Sequence, residues 1–481
     1  MCYLLLLILT AGAGSDWSSF KLVYMLWFLT YVGGLFLLMR SQMISRFEKL
    51  DPVWISVILF TATFLLHLPF LLGDVSLSQD ILRLEKRGEL LMDGRFPYRD
   101  FDVNKPPLYI WMVGALSLPF GPDQLVFRVA FSIASSLVPV VMYLVHRRMG
   151  ASSTIGGRGP FGMPLPGFNW MTAAIAYMLC PIPLMETGMG GHFDPVVVLV
   201  SMVSFLYLVR KKPMISGIFL GAGFALKLYP MFLAPIFFLS LDRWSDRIKF
   251  TGSFFLVPVL ASLPVLFVDP SLMAEYLRYQ FVNWYSGFSI RYLLEIVFSG
   301  AGLPEKAVYY LLTLILLLGT IYLLVRGFVG KFKRVDVGFV FALLQVLSVM
   351  GVVLSSIFYF RGAGTTLDRL SAYLSLAFSI LVVSGGLYVF LHWRPIGRPC
   401  FKGISFGTLL RGRLNLELIP LISSCILLLV VLTSAQFHPW YIAWVLPFSL
   451  ASGNEYWGWS TLLLMASLQY NYYPPWELAG F

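Results

Sequence analysis

The chain has 481 residues, of which 58% are hydrophobic and 12% are charged. Soluble globular domains are about half apolar and about a quarter charged, so this composition excludes an ordinary soluble protein and predicts an all-α polytopic membrane protein. The net charge of +11 does not indicate nucleic acid as a partner, because the basic residues stand in short loops between apolar segments, as the positive-inside rule describes. The expected partner is the lipid bilayer.

The apolar segments predict how the chain crosses the membrane. A spanning helix needs about 20 apolar residues, and by this criterion the chain carries about 11–14 membrane segments. We expect them to form one integral membrane domain over residues 1–481. If the basic loops face the cytoplasm, residues 74–124 face the other side. The protein is therefore predicted in the cell membrane, or in the ER membrane of a eukaryote, with its active face away from the cytosol.

Residues 74–124 form a polar loop with many acidic and basic side chains. Asp80 opens a stretch in which Leu84 and Leu91 recur at helical spacing, which predicts an amphipathic helix on the membrane surface. At its N-terminus Asp80 has a structural explanation, as a helix cap, and a functional one, as a base that takes a proton from an acceptor hydroxyl. Asp74, next to the preceding apolar segment, is the alternative base.

Lys105 ends the loop, directly before Pro106 and Pro107, which stiffen the backbone. A lysine held there is a point charge for a phosphate, although a lysine that only reaches from the membrane surface into water has the same signature. Asp100 and Asp102 form a DxD pair, a spacing that can hold a divalent ion but often arises by chance. The sequence requires no cofactor and leaves a divalent metal open.

Residues 213–241 contain two apolar stretches that are too short to span a bilayer. Residues 213–226 and 229–241 each reach about 20 Å as a helix, whereas the hydrocarbon core is about 30 Å thick. Because basic residues flank both outer ends, we predict a short membrane hairpin with Lys227 at its tip; a long helix kinked at Pro230 is the alternative. An ionisable residue at membrane depth indicates function, and a lipid phosphate is its expected partner.

Two later segments carry further polar and aromatic candidates. His192 and Asp194 precede an apolar run. Two ligands do not make a metal site, so these side chains are predicted to line a polar cavity. His438, Trp440 and Tyr441 follow another apolar run. Their rings fit an aromatic belt at the membrane interface or a surface that stacks on sugar rings.

Together these motifs resemble the GT-C glycosyltransferases, which take a sugar from a polyprenyl or dolichyl phosphate on the non-cytoplasmic face. In the protein O-mannosyltransferase and aminoarabinose transferase branch, a Lys-Pro-Pro-Leu run follows an acidic residue, as at Lys105. In the polyprenyl-phosphate-mannose-dependent mannosyltransferases, an Asp precedes Gly-x-x-Pro-Tyr, as Asp80 precedes residues 94–98. Three later runs are also similar to the mannosyltransferases: Gly191-His192-Phe193-Asp194, Ala225-Leu226-Lys227-Leu228-Tyr229-Pro230 and Phe437-His438-Pro439-Trp440-Tyr441.

The resemblance implies a GT-C-type helical bundle whose first large non-cytoplasmic loop carries amphipathic helices. It implies a hexosyltransferase that moves a hexose, with mannose favoured, from polyprenyl or dolichyl phosphate to a hydroxyl of a lipid, glycan or protein acceptor. Asp80 or Asp74 is the expected catalytic base. The expected phosphate ligands are Lys105, Lys227, Arg95 and Arg99, and the expected cavity residues are Tyr98, His192, Asp194, His438, Trp440 and Tyr441.

A membrane transporter or flippase of a lipid-linked or polar solute is the alternative function. Interrupted helices and a lysine near the membrane midplane fit a transporter as well. Two features disfavour it, since the two halves of the chain show no matching pair of interrupted segments and the polar residues concentrate in one loop.

Overall fold

The structure is a computed structural model. Asp74 and His438 lie outside the residues that it describes. The described residues are 2–12, 17–41, 43–73, 79–149, 157–158, 164–165, 169–278, 416–433, 439–452, 458 and 461–462.

Helices make up almost all of the described chain. The exceptions include a small antiparallel pair, β1 (Gly157–Arg158) and β2 (Pro164–Leu165), and 3₁₀ turns at Tyr229–Phe232, Leu416–Leu418 and Pro439–Trp444. The helices are α1 (Cys2–Gly12), α2 (Trp17–Arg40), α3 (Met43–Phe47), α4 (Pro52–Leu72), α5 (Gln79–Met92), α6 (Pro107–Phe120), α7 (Gln124–Met149), α8 (Trp170–Leu179), α9 (Pro181–Gly188), α10 (Asp194–Val209), α11 (Pro213–Leu226), α12 (Ala234–Ser240), α13 (Trp244–Val268), α14 (Pro270–Arg278), α15 (Ile419–Thr433) and α16 (Leu446–Leu450).

Three described helices, α4, α7 and α13, are long and apolar enough to cross a membrane. Several shorter apolar helices, including α6, α8, α10 and α11, pack with them. Large apolar side chains such as Val53, Trp54 and Phe267 are exposed on the long helices, as expected for surfaces that face lipid rather than water. These features confirm the predicted all-α polytopic membrane protein.

Helix α7 is the centre of the described bundle. In an apolar 18-residue stretch of α7, 61% of the residues are buried, against 17% in the corresponding stretch of α13. Helix α7 packs on α4, α8, α9 and α10. The small buried residues Ser132, Ser135 and Ser136 let neighbouring helices approach it closely. A charged residue near its N-terminus, Arg128, is buried among these helices.

Arg128 joins the ends of two helices that precede the polar loops. Its Nε donates to the carbonyl of Gly188 at 2.6 Å, at the end of α9, and its Nη2 donates to the carbonyl of Phe70, in the last turn of α4. Carbonyl groups in the last turn of a helix lack partners within the helix and carry partial negative charge, so a guanidinium satisfies them well. The loops that follow α4 and α9 therefore start at the same end of the bundle.

The chain turns back between α11 and α13. Gly217 of α11 lies against the backbone of Phe250, and Gly221 lies against the backbone of Phe254, so the contacts advance in the same direction along both helices. Two helices that run in the same direction require the intervening chain to return, and α11 ends at Leu226, before Lys227. This path is compatible with the predicted hairpin over residues 213–241, whose entry and exit at one membrane face stay a prediction.

Candidate active site

An arginine on the amphipathic helix α5 supports the segment that carries Lys105. Arg87 donates to the hydroxyl of Tyr109 and to Oδ1 of Asn104, both at 3.1 Å, and the hydroxyl of Tyr98 donates to the carbonyl of Lys105 at 2.6 Å. Tyr98, which we predicted to line the substrate cavity, thus braces the backbone of Lys105. Asn104, which precedes the lysine, and the carbonyl of the lysine itself are thus tied to their surroundings.

The side chain of Lys105 is half-buried and senses the other charged groups of the site. Burial, followed by the positive charge of Lys227, lowers the pKa of Lys105 to about 8, while the carboxylates of Asp80 and Asp194 oppose this shift. A lysine with such a pKa is charged at neutral pH but loses its charge under mildly basic conditions. The mutual influence of these four side chains indicates that they converge on one region.

The two arginines predicted to bind phosphate lie in the exposed part of the loop. Arg99 pairs with Asp100 at 2.8 Å, and Asp100 also accepts the backbone N–H of Phe96 at 2.6 Å. Arg95 is exposed. Asp100, one half of the DxD pair, is therefore engaged in a local turn, and among the described residues no group of three His, Cys, Asp or Glu side chains is arranged to hold a metal ion.

A glycine allows the loop before α10 to lie against α5. Gly191 has a φ of +62°, in the left-handed region, and an added Cβ would stand 2.5 Å from Cδ1 of Ile81. Ile81 follows Asp80 in the first turn of α5, where the helix dipole favours a carboxylate. The close approach brings the next residue of the loop, His192, to Asp80.

His192 lies between two carboxylates. Its Nδ1 is 3.5 Å from Oδ2 of Asp80, and its Nε2 is 3.3 Å from Oε2 of Glu186. The imidazole is 5% exposed and Glu186 is 3% exposed, whereas the side chain of Asp80 is 43% exposed. Asp80 is thus the member of this group that a substrate can reach. A further weak contact joins its Oδ1 to Arg83 at 3.4 Å.

Lys227 is held by Asp194 and by aromatic rings. Its Nζ lies 2.7 Å from Oδ1 of Asp194, and the same oxygen accepts the indole N–H of Trp444. The ammonium also stands over the rings of Tyr441 and Trp444, 4.4 and 4.6 Å from their centroids, and 5.3 Å from that of Phe193. The sequence predicted a lipid phosphate as the partner of Lys227, which stays a prediction. In the structure the ammonium contacts the carboxylate of Asp194.

Two aromatic residues of the following turn, Tyr441 and Trp444, stack beside this ion pair. Trp440 and Tyr441 lie in the 3₁₀ turn Pro439–Trp444. The ring of Trp444 stacks on Tyr441 at 4.2 Å and on Tyr229 at 4.0 Å. Tyr441 and Trp444 are buried, so these two rings enclose a cation inside the protein and do not form a belt at its surface.

Two residues of the site were not among the sequence candidates. Glu186 stands at the end of a long apolar run, and Trp444 follows the candidates Trp440 and Tyr441. An acidic residue adjoining an apolar run is a signal for a buried functional carboxylate, so Glu186 could have been found. The pairing of Trp444 with Asp194 joins residues that are far apart in the chain, and no local pattern reveals it.

The Lys227–Asp194 pair yields a stability prediction that is independent of activity. Lys227→Met should destabilise the protein by about 3–5 kcal/mol, because it leaves Asp194 buried without its cation. Adding Asp194→Asn should restore a large part of that loss. Reversible SDS unfolding in lipid–detergent micelles measures both variants.

The matched control is Lys86→Met, which removes an exposed lysine paired with Glu89 at 3.1 Å. Exposed pairs contribute at most about 1 kcal/mol, so this variant should unfold close to the native protein. Equal losses for Lys227→Met and Lys86→Met would show that the buried pair does not stabilise the fold.

Comparison with known proteins identifies the family. The family model of glycosyltransferase family 87 matches residues 106–356, which is more than half of the chain. The match begins directly after Lys105 and includes His192, Asp194 and Lys227, but not Asp80. None of the curated proteins matches the chain. The chain belongs to glycosyltransferase family 87 and is a glycosyltransferase.

Proposed function

We propose that this glycosyltransferase moves a hexose, with mannose favoured, from a polyprenyl or dolichyl phosphate to a hydroxyl of a lipid, glycan or protein acceptor. The observation that carries the proposal is Asp80, a half-exposed carboxylate beside His192 in a cluster that also contains Lys105 and Lys227. A base and cations in one polar region among apolar helices suit a donor that arrives in the bilayer with its phosphate at the surface. Family membership favours this enzyme over the transporter alternative.

The proposed reaction assigns separate roles to the carboxylate and the cations. The acceptor oxygen attacks the anomeric carbon, its proton passes to Asp80, and the bond between the sugar and the phosphate oxygen breaks. Negative charge grows on the leaving phosphate, and a fixed cation stabilises that charge where it develops. Asp80 is thus on the acceptor side of the sugar, and the lysines are on the donor side.

Of the two lysines, Lys105 is better placed to meet the phosphate. Lys227 is 9% exposed, and its ammonium already contacts Asp194. A phosphate that binds Lys227 therefore has to share it with a carboxylate, whereas Lys105, in the segment before α6, is more exposed than Lys227. The proposal does not use Arg95 and Arg99, because both are exposed and Arg99 is held by Asp100.

The positions of the helix ends support an active site on the non-cytoplasmic face. The site is built from the start of α5, the end of α9, the start of α10 and the residue that follows α11. The opposite ends of these and neighbouring helices carry basic residues, which favour the cytoplasm. Those residues are Arg147, Arg148, Arg210, Lys211, Lys212 and Arg243.

Asp80→Asn tests the role of the base. We expect kcat for transfer from a radiolabelled polyprenyl-phosphate mannose to fall by about 10²–10⁴-fold, because the amide cannot accept the acceptor proton. Donor affinity should change little, since the phosphate is held by other residues. Asp93→Asn, an exposed substitution in the same segment, is the matched control. Near-native turnover by Asp80→Asn would remove Asp80 as the base and favour Asp74.

Lys105 yields a prediction on donor affinity and its pH dependence. Lys105→Ala should weaken donor binding about tenfold or more, because a hydrogen bond between charged groups contributes about 1.5–3 kcal/mol. In the native protein the ammonium is present below its pKa of about 8 and is lost above it. Donor affinity should therefore fall as the pH rises through about 8.

Two matched variants make this test specific. Lys105→Arg keeps its charge to much higher pH, so its donor affinity should no longer fall near pH 8. Lys86→Ala removes an exposed lysine from α5 and should bind donor like the native protein. Titration of donor binding between pH 6 and about 9.5 compares the four proteins. The same fall in affinity for Lys105→Arg as for the native protein would exclude Lys105 as its source.

A further inference from the structure

The buried carboxylate of Glu186 has no role in the reaction described so far. It lies in α9, 3.3 Å from Nε2 of His192, whose other ring nitrogen faces Asp80. Because Glu186 is 3% exposed, it does not contact the bulk solvent that reaches Asp80. It is in a position to act on Asp80 only through His192.

The two carboxylates set the protonation state of the imidazole between them. A neutral imidazole has one donor and one acceptor nitrogen, so it can donate to one carboxylate only, whereas the imidazolium can donate to both. Burial opposes the charge and lowers the pKa of His192, but the hydrogen bond to Asp80 and the charges of Glu186, Asp80 and Asp194 outweigh it, and the net pKa is raised. His192 is therefore charged over a wider pH range than an ordinary histidine.

Other charged groups reach the surroundings of His192 from neighbouring elements. Asp194 on α10 is neutralised by Lys227, which follows α11. Arg83 on α5 contacts Asp80 at 3.4 Å and is largely exposed, and Lys105 reaches the region from the segment before α6. Asp194 also favours the imidazolium, but Asp80 and Glu186 are the two carboxylates that face the ring nitrogens directly.

We propose that Glu186 is a positioning residue that holds His192 as an imidazolium against Asp80, and thereby keeps Asp80 oriented toward the acceptor hydroxyl. This inference rests on the proposed function of Asp80 as the base. The imidazolium is not consumed in the reaction: the acceptor proton passes to Asp80 and then from this half-exposed carboxylate to water. His192 faces Oδ2 of Asp80, and Oδ1, whose contact with Arg83 at 3.4 Å is weak and exposed, accepts the proton.

Loss of Glu186 should therefore appear as a change in pH dependence. In Glu186→Gln the carboxylate charge at 3.3 Å is absent, and an opposite charge at such a distance raises the pKa of a histidine by about one unit or more. When donor is saturating, kcat should fall at high pH as His192 loses its proton. In Glu186→Gln this fall should occur about one pH unit or more lower than in the native protein. Donor KM should be unchanged, since the phosphate is held elsewhere.

Selective ¹⁵N labelling of histidine gives a readout without turnover. The chain has five histidines, and His192→Gln identifies the resonance of His192 by its disappearance. In nanodiscs, Glu186→Gln should lower the pKa of His192, and Glu186→Asp, which keeps the charge, should restore it in large part. On the His192→Gln background, Glu186→Gln should leave the pH profile of kcat unchanged, because the effects of two mutations are not additive when one residue acts through the other.

The outcomes separate this inference from the proposed function. An unchanged pKa of His192 in Glu186→Gln overturns the inference even if transfer is confirmed. A lowered pKa without any shift in the kcat profile of an active enzyme also overturns it, since Glu186 would then be merely structural. A lowered pKa in a protein that transfers no sugar from polyprenyl phosphate supports the Glu186–His192 coupling and overturns the proposed function.

Discussion

The buried ion pair between Lys227 and Asp194 is the contact on which the site depends. Neither charge is stable alone among apolar helices, because removing an ion from water costs several kcal/mol that only a close partner offsets. At 2.7 Å the two groups compensate each other, and the indole of Trp444 shares the carboxylate. The pair thus fixes the end of α11, the start of α10 and the turn Pro439–Trp444 in one place.

Other polar contacts extend this arrangement toward Asp80. Arg128 draws together the ends of α4 and α9 through their carbonyl groups, and Gly191 lets the loop between α9 and α10 approach Ile81. Since Asp194 starts α10 two residues after His192, the buried pair and the contact with Asp80 belong to one short segment. The helices thus place fixed charges side by side at the end of the bundle away from the basic loops, where they require no reorganisation during the reaction.

Much of the fold and part of the site could be predicted from the sequence. The apolar runs and basic loops predicted an all-α membrane protein, because the bilayer leaves few other structures for a chain of this composition. The interruption at Lys227 was also predicted, because two short apolar stretches meet there. The contact between Lys227 and Asp194 was not predicted: Asp194 lies 33 positions earlier in the chain, and only the packing of α10 against α11 brings the two together.

The remaining differences have local causes. The resemblance implied Arg99 as a phosphate ligand, whereas in the structure Arg99 pairs with its neighbour Asp100. Glu186 was overlooked although its position beside an apolar run was a signal for a buried carboxylate. In each case the charge was evident, and the three-dimensional partner was not.

In the proposed enzyme, one cluster of side chains holds both the base and the donor phosphate. A cryo-EM structure of the protein in nanodiscs with a bound polyprenyl monophosphate tests it most directly. We expect the phosphate within hydrogen-bond distance of Nζ of Lys105, with Asp80 across the position of the sugar. A phosphate held by Arg95 and Arg99, in the exposed part of the loop and apart from Lys105 and Asp80, would contradict it.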